Sequence, residues 1–420
     1  MKILKLDVIT VTDEEKIQAE QDWLSSTNAV KFTNTTPARK LFKILFYLHL
    51  FVIAVLVTSL AIYGLFYVSR SNYIHPKEWY PPLFISMLCG GATGFTWQWI
   101  TARNPAKAIR EAFWLSPLLT SAMGILFVYI GYAASLAAGV VALLSALIQS
   151  LYGIWVSPRF EYAGRVFFMV CGIGGAKAIK RTELAVFFIL VILLSLGWTM
   201  QFLKNVLQVT ISRVRYMHLA GGAMMDTKVA LNDTVKYLTG SVSIGSILVP
   251  FISVFRGFAR ATSLIGGDSG EFMFSCVSCY MGIASLLVKY GNRWGLVYVG
   301  VYNKGFVQAS SDTWDIFNRV GLEELINLDL TASFCFLSAV AGGAICSLVS
   351  GIWSIVIHKN YATEISIYAF LIGYFMFRLA MSWPQACVSA YYVAYAENPQ
   401  STKFDSTIPV RLEQLYRSHA

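Results

Sequence analysis

The sequence predicts an all-α fold, a polytopic integral membrane bundle of about ten transmembrane helices. Hydrophobic residues make up 56% of the 420-residue chain and charged residues only 13%, where soluble domains run near ~25% charged. The mean hydropathy is +0.58. A water-soluble globule cannot bury that much apolar surface, and a disordered chain would be polar. The apolar residues also gather in uncharged runs long enough, at a 1.5 Å rise per residue, to cross a ~30 Å hydrocarbon layer.

Each element follows from those runs. Residues 1–40 read as a polar cytoplasmic tail, since Asp13, Glu14 and Glu15 precede any apolar run and no signal-peptide core appears. Ile44–Ser69 is the first span and Trp79–Ala102 the second. Ala112–Pro158 carries no charge and has length for two helices, Phe113–Tyr132 and Ala134–Val156, about a tight turn at Ala133–Leu136. Arg159–Arg181 sets Val166–Val170 and Ile173 opposite Lys177, Lys180 and Arg181, the pattern of an amphipathic helix on the inner surface. Leu184–Leu203 is the next span. Gln201–Leu219 mixes apolar residues with Lys204, Arg213, Arg215 and His218, and reads either as the tail of one long helix or as a short returning span. Tyr237–Phe255, Phe272–Val288, Leu330–His358 and Ile365–Ala396 complete the set, the last interrupted by Arg378. Residues 41–399 thus form one transmembrane domain, followed by a cytoplasmic tail over 400–420.

The 33 Lys+Arg and 23 Asp+Glu leave a net charge of +10. The basic residues sit between apolar runs, which points to helix orientation rather than to nucleic acid. A returning Gln201–Leu219 places Lys228, Lys236, Lys289, Arg293, Lys304 and Arg319 on the inner side. Ten spans with both termini inside then satisfy the positive-inside rule, with Arg256 and Arg260 as exceptions.

No Asp or Glu falls inside a predicted span, and the rim acids Glu111, Glu183, Asp226, Asp233, Asp268 and Glu271 read as solvated. Nucleotide-binding glycine loops, Gly-x-Ser-x-Gly and paired histidines are missing, so no enzyme chemistry, cofactor or metal is expected. Cys276 and Cys279 form a lone C-x-x-C, weak for zinc. The 28 Phe, 22 Tyr and 11 Trp serve mostly as lipid-facing and interfacial rings. Ring faces also suit quaternary ammonium groups, and the candidates within spans are Trp97, Trp198, Tyr374, Tyr391 and Tyr392. Gly240, Ser241 and Gly245 form a small-residue stretch for close helix packing, or alternatively for a broken helix with exposed carbonyls. Arg378, about midway through Ile365–Ala396, reads as a structural or gating charge.

From Trp198 onward the chain resembles the choline transporter-like family. Trp198-Thr-Met-Gln-Phe-Leu-Lys-Asn-Val-Leu-Gln-Val-Thr210 is similar to the family's W-T-x-x-V-x-K-N-x-x-H-V-T, and Gly240-Ser-Val-Ser-Ile-Gly-Ser-Ile-Leu248 to its G-S-x-x-x-G-S-L-I. Asn292-Arg293, Tyr302-Asn-Lys304-Gly-Phe306 and Asp312 resemble N-R-N-A-Y…Y-G-K-N-F…K-D, and Ala396-Glu-Asn-Pro399 the acidic exit of the last span. Gln208 stands for the family's His and Asn398 for its Asp. The short connection around Arg70–Tyr80 is similar to the plant and fungal branch.

The resemblance implies facilitated transport of choline or a related organic cation, most naturally across the plasma membrane, with an internal membrane as the alternative. Trp198 opens the resembling segment and is the first candidate to hold the cation on its ring. Asn205 and Gln208 are the candidates for the choline hydroxyl, and Trp97 and Tyr374 are next in line. Two rivals stand beside it: a lipid-handling or trafficking protein of scramblase type, and a membrane scaffold without substrate.

Overall fold

The computed structural model describes residues 36–70, 76–156, 183–221, 225–265, 282–283, 286–327, 329–357 and 361–399, with 401, 404, 408–410 and 412 beyond them. Every regular element among these is a helix. Six stretches are long and apolar enough to cross a membrane, so the chain is a polytopic helical membrane protein. The expected surface helix at Arg159–Arg181, the Cys276/Cys279 pair and most of Phe272–Val288 lie outside the described residues.

Helices α1 (Pro37–Arg70), α2 (Pro76–Arg103) and α3 (Pro105–Ile130) each begin on a proline, whose fixed φ and missing N–H suit a first helical position. Helix α4 (Ala133–Val156) starts where the sequence places a turn. The reversal lies two residues earlier, at Gly131–Tyr132. Gly131 ends α3 at φ +84°, a left-handed conformation that glycine takes freely, and the Tyr132 N–H donates to Ser135 Oγ at 2.9 Å.

Helix α5 (Glu183–Gly221) is continuous over 39 residues, so Gln201–Leu219 is not a returning span. Residues 198–220 contain neither Gly nor Pro to break it, and its polar side chains are answered sideways. Asn205 Nδ2 donates to Ser246 Oγ at 3.0 Å, and Arg213 pairs with Asp233 at 3.1 Å. Beyond it, α6 (Thr227–Asp233), one π turn (Thr234–Leu238) and α7 (Thr239–Ile265) run on as one rod. Short helices α8 (Gly295–Tyr302), α9 (Phe306–Val320) and α10 (Glu323–Asn327) precede α11 (Thr331–Ile357).

The stretch Ile365–Ala396 is two helices, α12 (Ala362–Ala380) and α13 (Ser382–Glu397). Pro384 has no N–H to give the Ala380 carbonyl, which instead accepts from Gln98 Nε2 at 2.5 Å. Arg378 therefore lies in the last turn of α12, next to the break and about midway along the apolar stretch Ala362–Glu397.

Helices α2, α3, α4, α11 and α12 pack into one group. Trp97 meets Ser338 and Ser86 meets Cys346, so α2 and α11 run antiparallel. A Cβ on Gly342 would come within 2.1 Å of the Phe377 ring, which sets how tightly α11 and α12 approach. Helices α1, α5, α7, α8, α9 and α13 share a larger core that includes Tyr216, Leu238, Leu296 and Phe306. Here α1 lies antiparallel to α5: Phe46 stacks on Phe202 at 3.8 Å between centroids, and His49 Nε2 is 3.1 Å from Ser195 Oγ.

Candidate cation site

The glycine stretch of α7 positions everything around the site. A Cβ on Gly240 would lie 2.1 Å from the Arg39 carbonyl oxygen, so backbone touches backbone there. That approach carries the Arg39 guanidinium to Asn303, where it donates to the backbone carbonyl at 3.0 Å and to Oδ1 at 2.7 Å. Asn303 ends α8 in the left-handed region at φ +52°. Gly245 faces the Phe306 ring, 2.9 Å from a hypothetical Cβ, and Ser241 Oγ reaches the Lys304 carbonyl at 3.5 Å.

Leading up to Asn303, α8 presents Tyr298 and Tyr302 on one face, as a spacing of four residues requires. Across from them, α13 ends on Glu397 and α5 presents Tyr216, which is fully buried. Tyr216 and Tyr298 donate short hydrogen bonds to Glu397 Oε2 and Oε1. Tyr302 donates to the two oxygens at 3.1 and 3.2 Å, and its hydroxyl is 3.0 Å from that of Tyr216. Burial, then the neighbouring carboxylate, push the Tyr298 phenol well above its ordinary range, so it stays a donor. Among the described residues no lysine, arginine or histidine nitrogen lies within ion-pair distance of Glu397. Three phenols donate to the Glu397 carboxyl, and the Lys304 ammonium stands in electrostatic range of it without a direct ion pair.

Lys304 completes the cluster. Its ammonium lies 5.5 Å from the Tyr298 ring centroid and 5.7 Å from that of Tyr302, and its Nζ donates to Asp312 Oδ2 at 2.6 Å. Two tyrosine faces, a carboxylate and an ammonium already resting on the rings form an arrangement suited to organic cations.

The residues expected from the sequence are not gathered in one place. Trp198 packs on α1, 4.5 Å from the His49 ring and 5.6 Å from that of Phe46. Asn205 turns to α7 through Ser246, and Gln208 is buried with its Nε2 unpartnered. Tyr374 stacks on Phe370 at 6.1 Å on the other helix group. Trp97 lines a cavity of about 280 Å³ with Ala92, Thr93, Thr96, Ser338 and Phe377. Its polar groups are already engaged: Trp97 Nε1 donates to Ser338, and the two threonine hydroxyls donate to carbonyls of their own helix.

Lys204 is 95% buried, being only 5% exposed, with Arg378, Arg293 and Cys335 in electrostatic range. Among the described residues no carboxylate is within ion-pair distance of it. Arg293 is held by Asp329, which also accepts from Thr331 N at 3.0 Å at the start of α11.

Glu397, Tyr216, Tyr298 and Tyr302 were not among the expected site residues, although Glu397 belongs to the acidic exit noted at Ala396–Pro399. The available signs were an acid at the edge of an apolar stretch and a Tyr pair four residues apart in Gly295–Tyr302.

Residues 106–400 match the family described as plasma-membrane choline transporter. Among relatives, Protein PNS1 of Gibberella zeae is 25% identical over 278 residues, covering 62% of this chain and 51% of that protein. Protein PNS1 of Debaryomyces hansenii is 24% identical over 306 residues, 66% of this chain and 58% of that protein. The Aspergillus fumigatus protein pns1 is 24% identical over 246 residues, 55% and 45% respectively. The chain thus spans about half the length of the relatives it matches. With the match covering well over half of its residues, the chain belongs to the plasma-membrane choline transporter family.

Proposed function

We propose that the protein moves choline or a related organic cation across the plasma membrane, and that Glu397 with Tyr298 and Tyr302 forms a binding point on the path. The observation that carries this is a carboxylate with three phenol donors and, among the described residues, no lysine or arginine within salt-bridge distance. A quaternary ammonium has no donors to offer, so Coulomb attraction and ring faces must offset its lost hydration. At ~5 Å and an effective dielectric near 20 the carboxylate contributes about 3 kcal/mol, and each ring face about 0.5–2 kcal/mol. The family match supports the same substrate class.

Radiolabelled choline uptake in a choline-requiring host tests this. Glu397→Gln keeps an acceptor for the tyrosines and removes the charge. It should raise the half-saturation concentration about tenfold or more. Parental uptake at equal surface expression would sink the proposal.

The cavity beside Trp97 favours a second reading. Ala92 and Thr96, on its lip, are exposed, and Ile100, Leu115 and Ile345 line it, which suits an apolar guest such as an acyl chain. Lipid flip in proteoliposomes, without choline uptake, would select that reading.

A further inference from the structure

We infer that Lys304 is a tethered competitor for the transported cation: it occupies the ring faces of Tyr298 and Tyr302 and is displaced when substrate arrives. This rests on the Glu397 reading above and adds its regulation.

The rings beneath the Lys304 ammonium are the two whose hydroxyls bind Glu397. A cation approaching Glu397 across those rings meets a like charge first. The backbone root of Lys304 is fixed, because the preceding Asn303 is clamped by Arg39 at both its carbonyl and its side chain. The side chain is free to swing: Lys304 and Asp312 are 36% and 32% exposed, so the pair can open into water at little cost. A fixed root with a mobile charged head gives one movable cation over an otherwise immobile cage. Asp312 decides its balance. Held by Asp312, the ammonium stays 5.5 and 5.7 Å from the two ring centroids; released, it is drawn deeper, towards Glu397.

A simple stabilising ion pair makes a different forecast, which supplies the test. Equilibrium binding of tritiated choline is measured on the full-length protein in nanodiscs, with melting temperature as the control for folding. Lys304→Met removes the competitor and should lower Kd about three- to tenfold. Asp312→Asn frees the ammonium to compete and should raise Kd by a similar factor. If the pair were only structural, both variants would shift Kd in the same direction, and that outcome overturns the inference, as does an unchanged Kd for Lys304→Met. Should Lys304→Met fail to fold, Lys304→Gln, which can still donate to Asp312, carries the same expectation. Glu397→Gln separates the two levels. Loss of binding there with no effect at Lys304 rejects the tether alone, whereas parental binding by Glu397→Gln, or no choline binding by the parent, rejects the site and the tether together.

Discussion

Replacing Gly240 with alanine tests the contact on which the cation site is built. The added methyl would lie 2.1 Å from the Arg39 oxygen, 2.8 Å from its carbonyl carbon and 3.1 Å from its Cα. All three are backbone atoms, so no rotamer change relieves the clash and α1 must retreat by about 1 Å, an overpacking that costs ~1–3 kcal/mol. Alanine returns ~1 kcal/mol of helix propensity. The retreat also stretches the two Arg39–Asn303 hydrogen bonds, each worth ~1.5–3 kcal/mol because the donor is charged. The expected net loss is about 2–4 kcal/mol, read as a lower melting temperature and a smaller folded fraction by fluorescence-detected size exclusion. Combined with Arg39→Ala, the loss should be less than additive, because both changes remove the same bonds. A Gly240→Ala protein that melts at or above the parent would refute the close backbone approach.

Asp329→Asn should destabilise by about 3–5 kcal/mol, since it strands the largely buried Arg293. Asp315→Asn, opposite the more exposed Lys289, should leave the melting temperature close to the parent's, because water screens that pair; chemical or thermal melts compare the two. At Trp198 the ring packs but Nε1 has no acceptor, so Phe should cost under ~1.5 kcal/mol and Leu more; a larger loss for Phe would contradict the packing role. Pro384→Ala would supply an N–H for the Ala380 carbonyl in place of Gln98, favouring a straight α12–α13. Choline uptake at equal surface expression should fall, and unchanged uptake would mean the break has no part in transport.

Hydropathy and local turn chemistry made much of the bundle readable. Leu330–His358 appears as Thr331–Ile357 because an uncharged run of that length has few other fates. What could not be read depends on partners far along the chain. Asn205 and Arg213 look like the exit of a span until Ser246 and Asp233 are known to lie beside α5. The break at Met381 had a local sign in Pro384, and overlooking it made two helices read as one. The cation site was the least legible part. Glu397 stands next to Asn398 and Pro399, the look of a chain leaving the membrane, while its tyrosines come from α5 and α8, 181, 99 and 95 residues away. Among the expected aromatics, Trp97 borders a cavity and Tyr374 only stacks within its helix group.

The unbroken length of α5 has a mechanical consequence. At 1.5 Å per residue its 39 residues measure about 58 Å, nearly twice a ~30 Å hydrocarbon layer. A rod of that length works as a lever: tilting it by about 5° around its midpoint moves each end by roughly 2.5 Å, close to the length of a hydrogen bond. Tyr216 sits near one end. A tilt that leaves Phe202 on Phe46 near the middle would therefore shift Tyr216, about 21 Å from the midpoint, by roughly 1.8 Å, enough to lengthen its bond to Glu397 and, with it, the Arg213–Asp233 pair on the same arm.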